Sequence, residues 1–446
     1  MKGRLPASGG SYTSPEEMNR DAPGGRRGFC LSILQDGGHF GKRLVEIMEM
    51  GDYIDLHQRA MQMVSRYPMR REPFDPIRNR RGQHHLGIMG PRGVGKTIML
   101  RQLAAAEDHA FYLSADTMDR DTETAWNLIL ALHEQYGYQQ IYLDEIHFLA
   151  DPAGLLKRLY DFTPLRLVFS SSVALAMRAS AHDVARRVDL IHLPLFSFRE
   201  YLRFRHNVSL PTLNLGDLLT GTWSVEHLRQ AHHFQAYLTG GILPFGMEEP
   251  EPLSLLARIR DKIIARDIPS VARLVTDELD VLPKLLQFIG RSAVDGISYS
   301  ALSSNLGITK YKARQYVELL DQAYVLQQLF PAGTGVLKEP KILMMPPYRL
   351  LYGDIEERIG GLREDFAAMA LTATFGGVHY LKSRSGGKTP DFLVEYEGQP
   401  VAVEVGGKGK GREQFKGVEV DQKLLLADRP TPDRNRVPLF LLGFLA

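Results

Sequence analysis

Three groups of residues in this sequence have types and spacings that can do chemistry. The first is Gly90-Pro91-Arg92-Gly93-Val94-Gly95-Lys96-Thr97, followed by Ile98. It fits G-x-x-x-x-G-K-S/T, a turn whose backbone amides cradle phosphate oxygens at a helix N-terminus. Lys96 would reach the β- and γ-phosphates of ATP, and the Thr97 hydroxyl would hold Mg²⁺. The second group is Asp144-Glu145, two acids closing the apolar run Gln140-Ile141-Tyr142-Leu143. Adjacent carboxylates at the end of a buried strand are costly without a cation. Asp144 suits the carboxylate behind Mg²⁺, and Glu145 would orient and deprotonate an attacking water. The third group is Pro390-Asp391 and Glu404, with Tyr396-Glu397-Gly398-Gln399 making a hairpin turn between them. Carboxylates on adjacent strands can hold Mg²⁺, which stabilises the attacking and leaving oxygens of a phosphodiester. Glu364, on a preceding helix, could add a third ligand.

The elements that must position these groups alternate in type. Leu86-Gly87-Ile88-Met89 reads as a buried strand before the glycine-rich turn, and Ile98 to Ala106 as the helix after it. Strands at His109–Leu113, Gln140–Glu145, Leu165–Phe169 and Leu190–Leu193 alternate with helices at Ala125–Tyr136, Leu155–Tyr160 and Ala174–Arg187. This order implies a parallel sheet covered on both faces, with its ligand at the carboxyl ends of the strands. Ser170 or Ser171 would then sit at the end of the fourth strand, able to sense the γ-phosphate or simply to cap a helix. Beyond Ser197 helices take over, broken at Gly240-Gly241 and Glu249-Pro250. Ile297 to Phe330 has a winged-helix pattern, with Gly307 as the turn and Thr309 capping a helix that bears Lys310, Lys312 and Arg314. Those cations suit a groove or phosphate contact, although such a module is as readily a packing unit. From about Asp354 a helix around Glu364, three strands, a helix around Gln414 and a last strand at Leu439–Leu441 are expected. The arginines at 66, 70, 71, 78, 80 and 81 form a basic run that is either a solvated linker or a nucleic-acid contact.

Composition narrows the classes. With 446 residues, 44% hydrophobic and 24% charged, the chain is long enough for two or three globular domains. A net charge of +2 gives no global pull toward nucleic acid, so any basic surface must be local. The single cysteine, Cys30, excludes an internal disulfide and any cysteine-based zinc site. No apolar run approaches the ~20 residues of a membrane helix, and the N-terminus lacks a signal-peptide core. No membrane partner and a cytoplasmic location are expected.

The sequence resembles AAA+ ATPases of the archaeal and bacterial type that carry a C-terminal nuclease-like domain. The matching pieces are Gly90–Thr97, Leu143-Asp144-Glu145-Ile146-His147, Ser170-Ser171-Ser172, the segment Leu193 to Tyr201, and Tyr237-Leu238-Thr239-Gly240-Gly241 followed by Pro244. Where that family has Gly-Arg, this chain has Arg186-Arg187, which leaves Arg187 in register as an arginine finger for a neighbour's ATP. Arg178 and Arg186 compete for that role, and a plain surface arginine is the alternative. Asp391 and Glu404 resemble the PD-(D/E)xK nuclease pattern, but Gly406 stands where the lysine is expected. Lys408 follows two residues late and could swing into place, or the site only binds DNA or has decayed; the Gly/Lys stretch with Arg412 could equally grip a backbone phosphate.

The resemblance implies an α/β fold: a P-loop AAA+ parallel sheet with a helical lid, a winged-helix module and a C-terminal restriction-endonuclease-like α/β domain. Expected boundaries are a disordered arm at 1–39, a helical segment and basic linker at 40–80, the ATPase core at 81–200, the lid at 201–280, the winged helix at 281–350 and the nuclease-like domain at 351–446. It also implies an oligomeric ATPase, a ring or spiral such as a hexamer. ATP and Mg²⁺ as cofactors are expected from the P-loop and the paired acids, and DNA as partner from the two appended modules. Three activities fit: an ATP-driven translocase, helicase or branch-point enzyme in repair or mobile-element biology; an ATP-gated DNA nuclease in defence; or a nucleotide-dependent switch without motor activity.

Overall fold

The computed structural model describes residues 48–80, 82–172, 186–272, 274, 276–292, 297–333, 339–381, 389–407, 415, 419–433 and 436–445. The chain divides into two compact units, Met1–Ile54 and Asp55–Ala446. The N-terminal arm, Arg81, Arg178, Lys408, Arg412 and Gln414 lie outside the described residues, as does most of the helix expected over 174–187. Helix α1 (Met50–Gln62) begins in the first unit.

In the second unit, α2 (Phe74–Arg78) leads to β1 (His85–Met89), every residue of which is buried. Such continuous burial is what a central parallel strand requires. Gly87 is needed there because a Cβ would meet the Phe169 ring at 2.6 Å and Leu190 at 2.7 Å. The order continues α3 (Lys96–Ala105), β2 (Ala110–Ser114), α4 (Thr122–Glu134), β3 (Gln140–Asp144), α5 (Pro152–Phe162), β4 (Arg166–Ser171) and β5 (Val188–His192). The sheet order is β2-β3-β4-β1-β5, all pairs parallel. The α/β parallel sheet expected from the alternation is therefore present, with the glycine-rich turn at the carboxyl end of a central strand.

Helices then dominate, as the pattern required. They include α6 (Phe198–His206), α7 (Leu215–Thr220), α8 (Val225–Arg229), α9 (Pro252–Lys262) and α10 (Val281–Arg291). Ser197 and Glu200 form a reciprocal capping box that starts α6. The expected break at Gly240-Gly241 is a wide turn (Tyr237–Gly241) with a kink at Gly240, and a second wide turn (Ile263–Asp267) extends α9.

Helices α11 (Tyr299–Leu306) and α12 (Lys310–Gln322) meet at Gly307, whose φ of +65° suits glycine, and Thr309 caps α12. The hairpin of β6 (Leu326–Pro331) and β7 (Lys341–Met344) follows, and then α13 (Ile355–Phe375). That hairpin is one edge of a seven-stranded mixed sheet ordered β12-β11-β10-β9-β8-β6-β7. Its other strands are β8 (Val378–Tyr380), β9 (Phe392–Tyr396), β10 (Gln399–Gly406), β11 (Gln422–Ala427) and β12 (Val437–Pro438). The turn between β9 and β10 is the expected hairpin, with Glu397 and Gly398 both at positive φ.

The last strand expected at Leu439–Leu441 is instead a tight helical segment, Leu439–Phe444, buried throughout. An unbroken apolar run carries no period that separates a buried strand from a buried turn. This segment packs against both α6 and α13. A Cβ on Gly443 would strike Phe198 at 2.3 Å, and the Phe444 ring lies edge-on to Phe198 with centroids 5.5 Å apart.

Candidate functional site

The glycine-rich turn closes on itself around its lysine. Gly93 and Gly95 have φ of +79° and +91°, which only glycine adopts freely, and Gly90 is pinned because a Cβ would meet Leu193 O at 2.4 Å. Lys96 Nζ donates to the carbonyls of Gly90 (2.9 Å) and Pro91 (2.8 Å), and only 4% of the residue is exposed. Burial lowers its pKa to about 8, against the opposing pull of Glu145 and Asp144. Val94 is fully buried, and its carbonyl accepts from Arg71 Nη1 at 3.0 Å. Arg92 forms a two-pronged bond with Asp267 (2.6 and 2.8 Å), joining the turn to the helical region. The Phe245 ring packs on Gly93, 2.4 Å from where a Cβ would be.

Asp144 and Glu145 arrive beside this turn in different environments. Asp144 ends β3 and is 2% exposed. Its carboxylate accepts from Tyr112 Oη (2.9 Å), from Ser170 Oγ and from Thr97. Burial raises its pKa despite these bonds, so a cation at this point would be welcomed. The hard oxygen donors of Thr97 and Asp144 fit Mg²⁺. Glu145 has left the strand and takes the left-handed conformation, φ 52° and ψ 46°. A glutamate there is strained, and such strain concentrates at working sites. Its carboxylate accepts from Ser172 Oγ (2.9 Å) and Ser172 N (3.3 Å) and lies 3.2 Å from His147 Nδ1. Burial works to raise the Glu145 pKa, but the charges of Lys96, His147 and Arg92 outweigh it and hold the carboxyl below its ordinary value.

The three serines at the end of β4 divide the work. Ser170 Oγ donates to Asp144 and accepts the Glu145 amide (3.0 Å), Ser171 Oγ meets His147 Nδ1 (3.2 Å), and Ser172 fixes Glu145. Ser170, expected to sense a phosphate, thus bonds both acids. Ser172 and His147 fall within the matching segments of the sequence, which give them no role of their own. Their role comes from β4 running parallel beside β3, which sets this serine run against the acids.

A cleft of about 470 Å³ opens beside the turn. Gly93, Lys96, Thr97, Glu145 and Ser172 line it together with Tyr67, Met69, Phe204, Phe245 and Met247. The apolar half had no motif to announce it. Within the basic run, Arg71 is buried against Glu200 (2.6 Å), Arg78 pairs with Glu107 and Arg80 with Asp189. Of these, the buried Arg71–Glu200 pair braces the fold, while Arg80 and Asp189 stay exposed. Arg187 lies at the opposite end of the sheet from the turn, where it pairs with Asp161 (2.8 Å).

On α12, Lys310 pairs with Glu339, Lys312 with Glu278 (3.0 Å) and Arg314 with Glu318 (2.7 Å). In the second sheet, Asp391 Oδ2 accepts from Val405 N (2.8 Å), next to Glu404, which is fully buried. Glu364 Oε1 contacts Lys341 Nζ, and that ammonium is 3.8 Å from Asp391 Oδ1. Among the described residues no group of three or more His, Cys, Asp or Glu side chains is placed to hold a metal ion. Nor is any described helix long and apolar enough to cross a membrane.

Comparison with known proteins agrees with the geometry of the first site. Residues 83–202 match a family described as an AAA domain. Over nearly its whole length the chain is similar to an uncharacterized protein of Methanocaldococcus jannaschii, at 27% identity over 94% of this chain and 98% of that one. Weak likeness extends to a solved structure concerned with katanin self-assembly (16% identity, 48% of this chain and 91% of that chain, TM-score 0.22). Another is a Drosophila ORC structure bound to AT-rich DNA and Cdc6 (10% identity, 66% and 91%, TM-score 0.21). Scores this low lend nothing to the assignment. The family match and the geometry of the glycine-rich turn support an AAA+ P-loop ATPase domain over residues 83–202.

Proposed function

We propose that this chain hydrolyses ATP in the cleft beside Lys96 and uses the cycle to act on DNA as a remodelling motor. The observation that carries the hydrolytic part is Glu145, ionised and held by Ser172 and His147 in a strained backbone position facing Lys96. The amides of residues 90–97 would take the phosphates, and the apolar wall of Met69, Phe204, Phe245 and Met247 would take the base. Thr97 and Asp144 would hold Mg²⁺, which neutralises charge on the β- and γ-phosphates. Glu145 then orients the water and receives its proton. Arg187, remote from its own chain's cleft, is assigned to a neighbour's ATP in a ring or spiral. The DNA part is supported by the helix-turn-helix of α11 and α12 and by the carboxylates of the second sheet.

The test is the ATPase rate without DNA and with single strands, duplex, forked and four-way DNA, with Glu145→Gln as blank. Strong stimulation by one form is expected. A flat response removes the motor and leaves a nucleotide-dependent switch.

A second reading, metal-dependent DNA cleavage, is favoured by the meeting of Asp391, Glu364 of α13 and Lys341 of β7 beside the second sheet. Asp391 and Glu404 would hold the divalent ion, which needs only one or two protein carboxylates. Nicking by the purified protein in Mg²⁺ or Mn²⁺, abolished by Asp391→Ala, is the expected sign.

A further inference from the structure

We propose that Lys341 is the ammonium of the Asp391–Glu404 site, taking the place of the lysine that the sequence pattern would put at Gly406. The proposal rests on the DNA-cleavage reading of the second sheet. Phosphodiester hydrolysis needs a positive charge beside the carboxylates, where negative charge builds on the phosphoryl oxygens. Gly406 ends β10 and offers none. Lys341 comes from β7, at the far edge of the same sheet, which the chain reaches well before either carboxylate strand.

Its placement is unusual for a lysine. Only 8% of its side chain is exposed, its ammonium meets Glu364, stands 3.8 Å from Asp391, and lies 5.8 Å from the centroid of the Phe392 ring. A flexible, strongly hydrated ammonium is taken out of water only where carboxylates compensate it. Asp391 in turn bonds the amide of Val405, so the charge is delivered beside the strand segment that carries Glu404. Strand β7, α13 and the residue just before β9 therefore bring one ammonium to two carboxylates, Glu364 and Asp391, beside the strand that carries Glu404, although Lys341 is remote in sequence from the pattern.

In the reaction this assigns, a water oxygen forms a bond to phosphorus and gives up a proton to a carboxylate. The P–O bond to the leaving sugar oxygen breaks, and that oxygen takes up a proton. The net result is one water added across the bond, giving a phosphate monoester and an alcohol. Lys341 stays protonated throughout and stabilises the charge on the phosphoryl oxygens.

The experiment uses the full chain with plasmid and linear DNA in Mg²⁺ and in Mn²⁺, comparing wild type, Lys341→Met, Lys341→Met with Gly406→Lys, and Asp391→Ala. Lys341→Met should cut about 100-fold more slowly, and Gly406→Lys should restore a measurable part of the rate by returning an ammonium to the site. A role confined to bracing α13 would not be rescued in this way. Mn²⁺ binding followed by electron paramagnetic resonance gives a readout apart from turnover. Lys341→Met should keep or tighten it, and Asp391→Ala should weaken it. If Lys341→Met does not fold, Lys341→Arg keeps the ion pair with Glu364 and should still lose rate, because a planar guanidinium does not replace a point charge. Cleavage unchanged in Lys341→Met or Lys341→Arg but lost in Asp391→Ala would overturn the assignment of Lys341 and leave the cleavage reading standing. No cleavage by the wild type on any substrate would overturn both.

Discussion

Glu145 shows how this site controls individual residues. Its left-handed backbone turns the carboxylate out of β3, and Ser172 then receives it from the neighbouring strand. Removal of Glu145 as base should cost about 100-fold or more in turnover while leaving ATP binding intact. Ser172→Ala should keep binding and lose about tenfold in kcat, since the carboxylate remains but its direction loosens. Single-turnover hydrolysis with a parallel binding titration checks both; an unchanged kcat in Ser172→Ala would remove the orienting role.

His85 offers a test of stability at the same scale. Burial pushes its imidazole down to about 4 from 6.5, and Nδ1 accepts the Leu167 amide at 3.2 Å. Between those values the unfolded chain binds a proton that the folded chain does not. The stability is therefore complete above pH 6.5 and is lost as pH falls toward 4, at about 1.4 kcal/mol per pH unit. His85→Asn retains an acceptor for Leu167 and should flatten that slope in urea unfolding at pH 7, 6 and 5. Equal slopes in the two proteins would rule His85 out as the cause.

Among the elements, the helical region is tied to the phosphate turn in two places. Phe245 covers Gly93, and the wide turn Ile263–Asp267 presents Asp267 to Arg92. The side chains of that pair are 12% and 8% exposed, so removing the carboxylate leaves a largely buried guanidinium without its partner. Asp267→Asn should destabilise the protein by roughly 3 kcal/mol. Added ATP should also protect the helical region less against proteolysis, because the bond that transmits the occupancy of the turn is gone. Protection equal to wild type would argue that Phe245 alone couples the two.

At the scale of the molecule, the C-terminal residues pack against α6 of the helical region as well as α13, although they follow the second sheet. Leu439 to Phe444 are buried against Phe198 and its neighbours, and the Leu213 amide donates to Phe444 O at 2.9 Å. Burying five large apolar side chains contributes on the order of 10 kcal/mol, comparable with the whole stability of a domain. A chain ending at Pro438 should therefore fail to bind ATP and should aggregate, although it keeps every residue of the phosphate site. Size-exclusion chromatography and nucleotide binding would show this; a monodisperse, ATP-binding truncation would mean that the segment is dispensable.

The sequence by itself determined the local features. Glycines forced to positive φ, a lysine and threonine at fixed spacing, and acids ending an apolar strand depend on neighbours along the chain, so the P-loop, the parallel α/β order and the hairpin at Glu397-Gly398 were legible. Tertiary structure decided what depends on pairing between distant segments. It set Ser172 and His147 on Glu145, gave the α12 cations to Glu339, Glu278 and Glu318, and made the β6–β7 hairpin part of the second sheet. It also brought Lys341 to Asp391 and turned the expected last strand into a buried helical segment. Strand register and burial are long-range quantities, and neither periodicity nor spacing along one chain encodes which strand lies beside which.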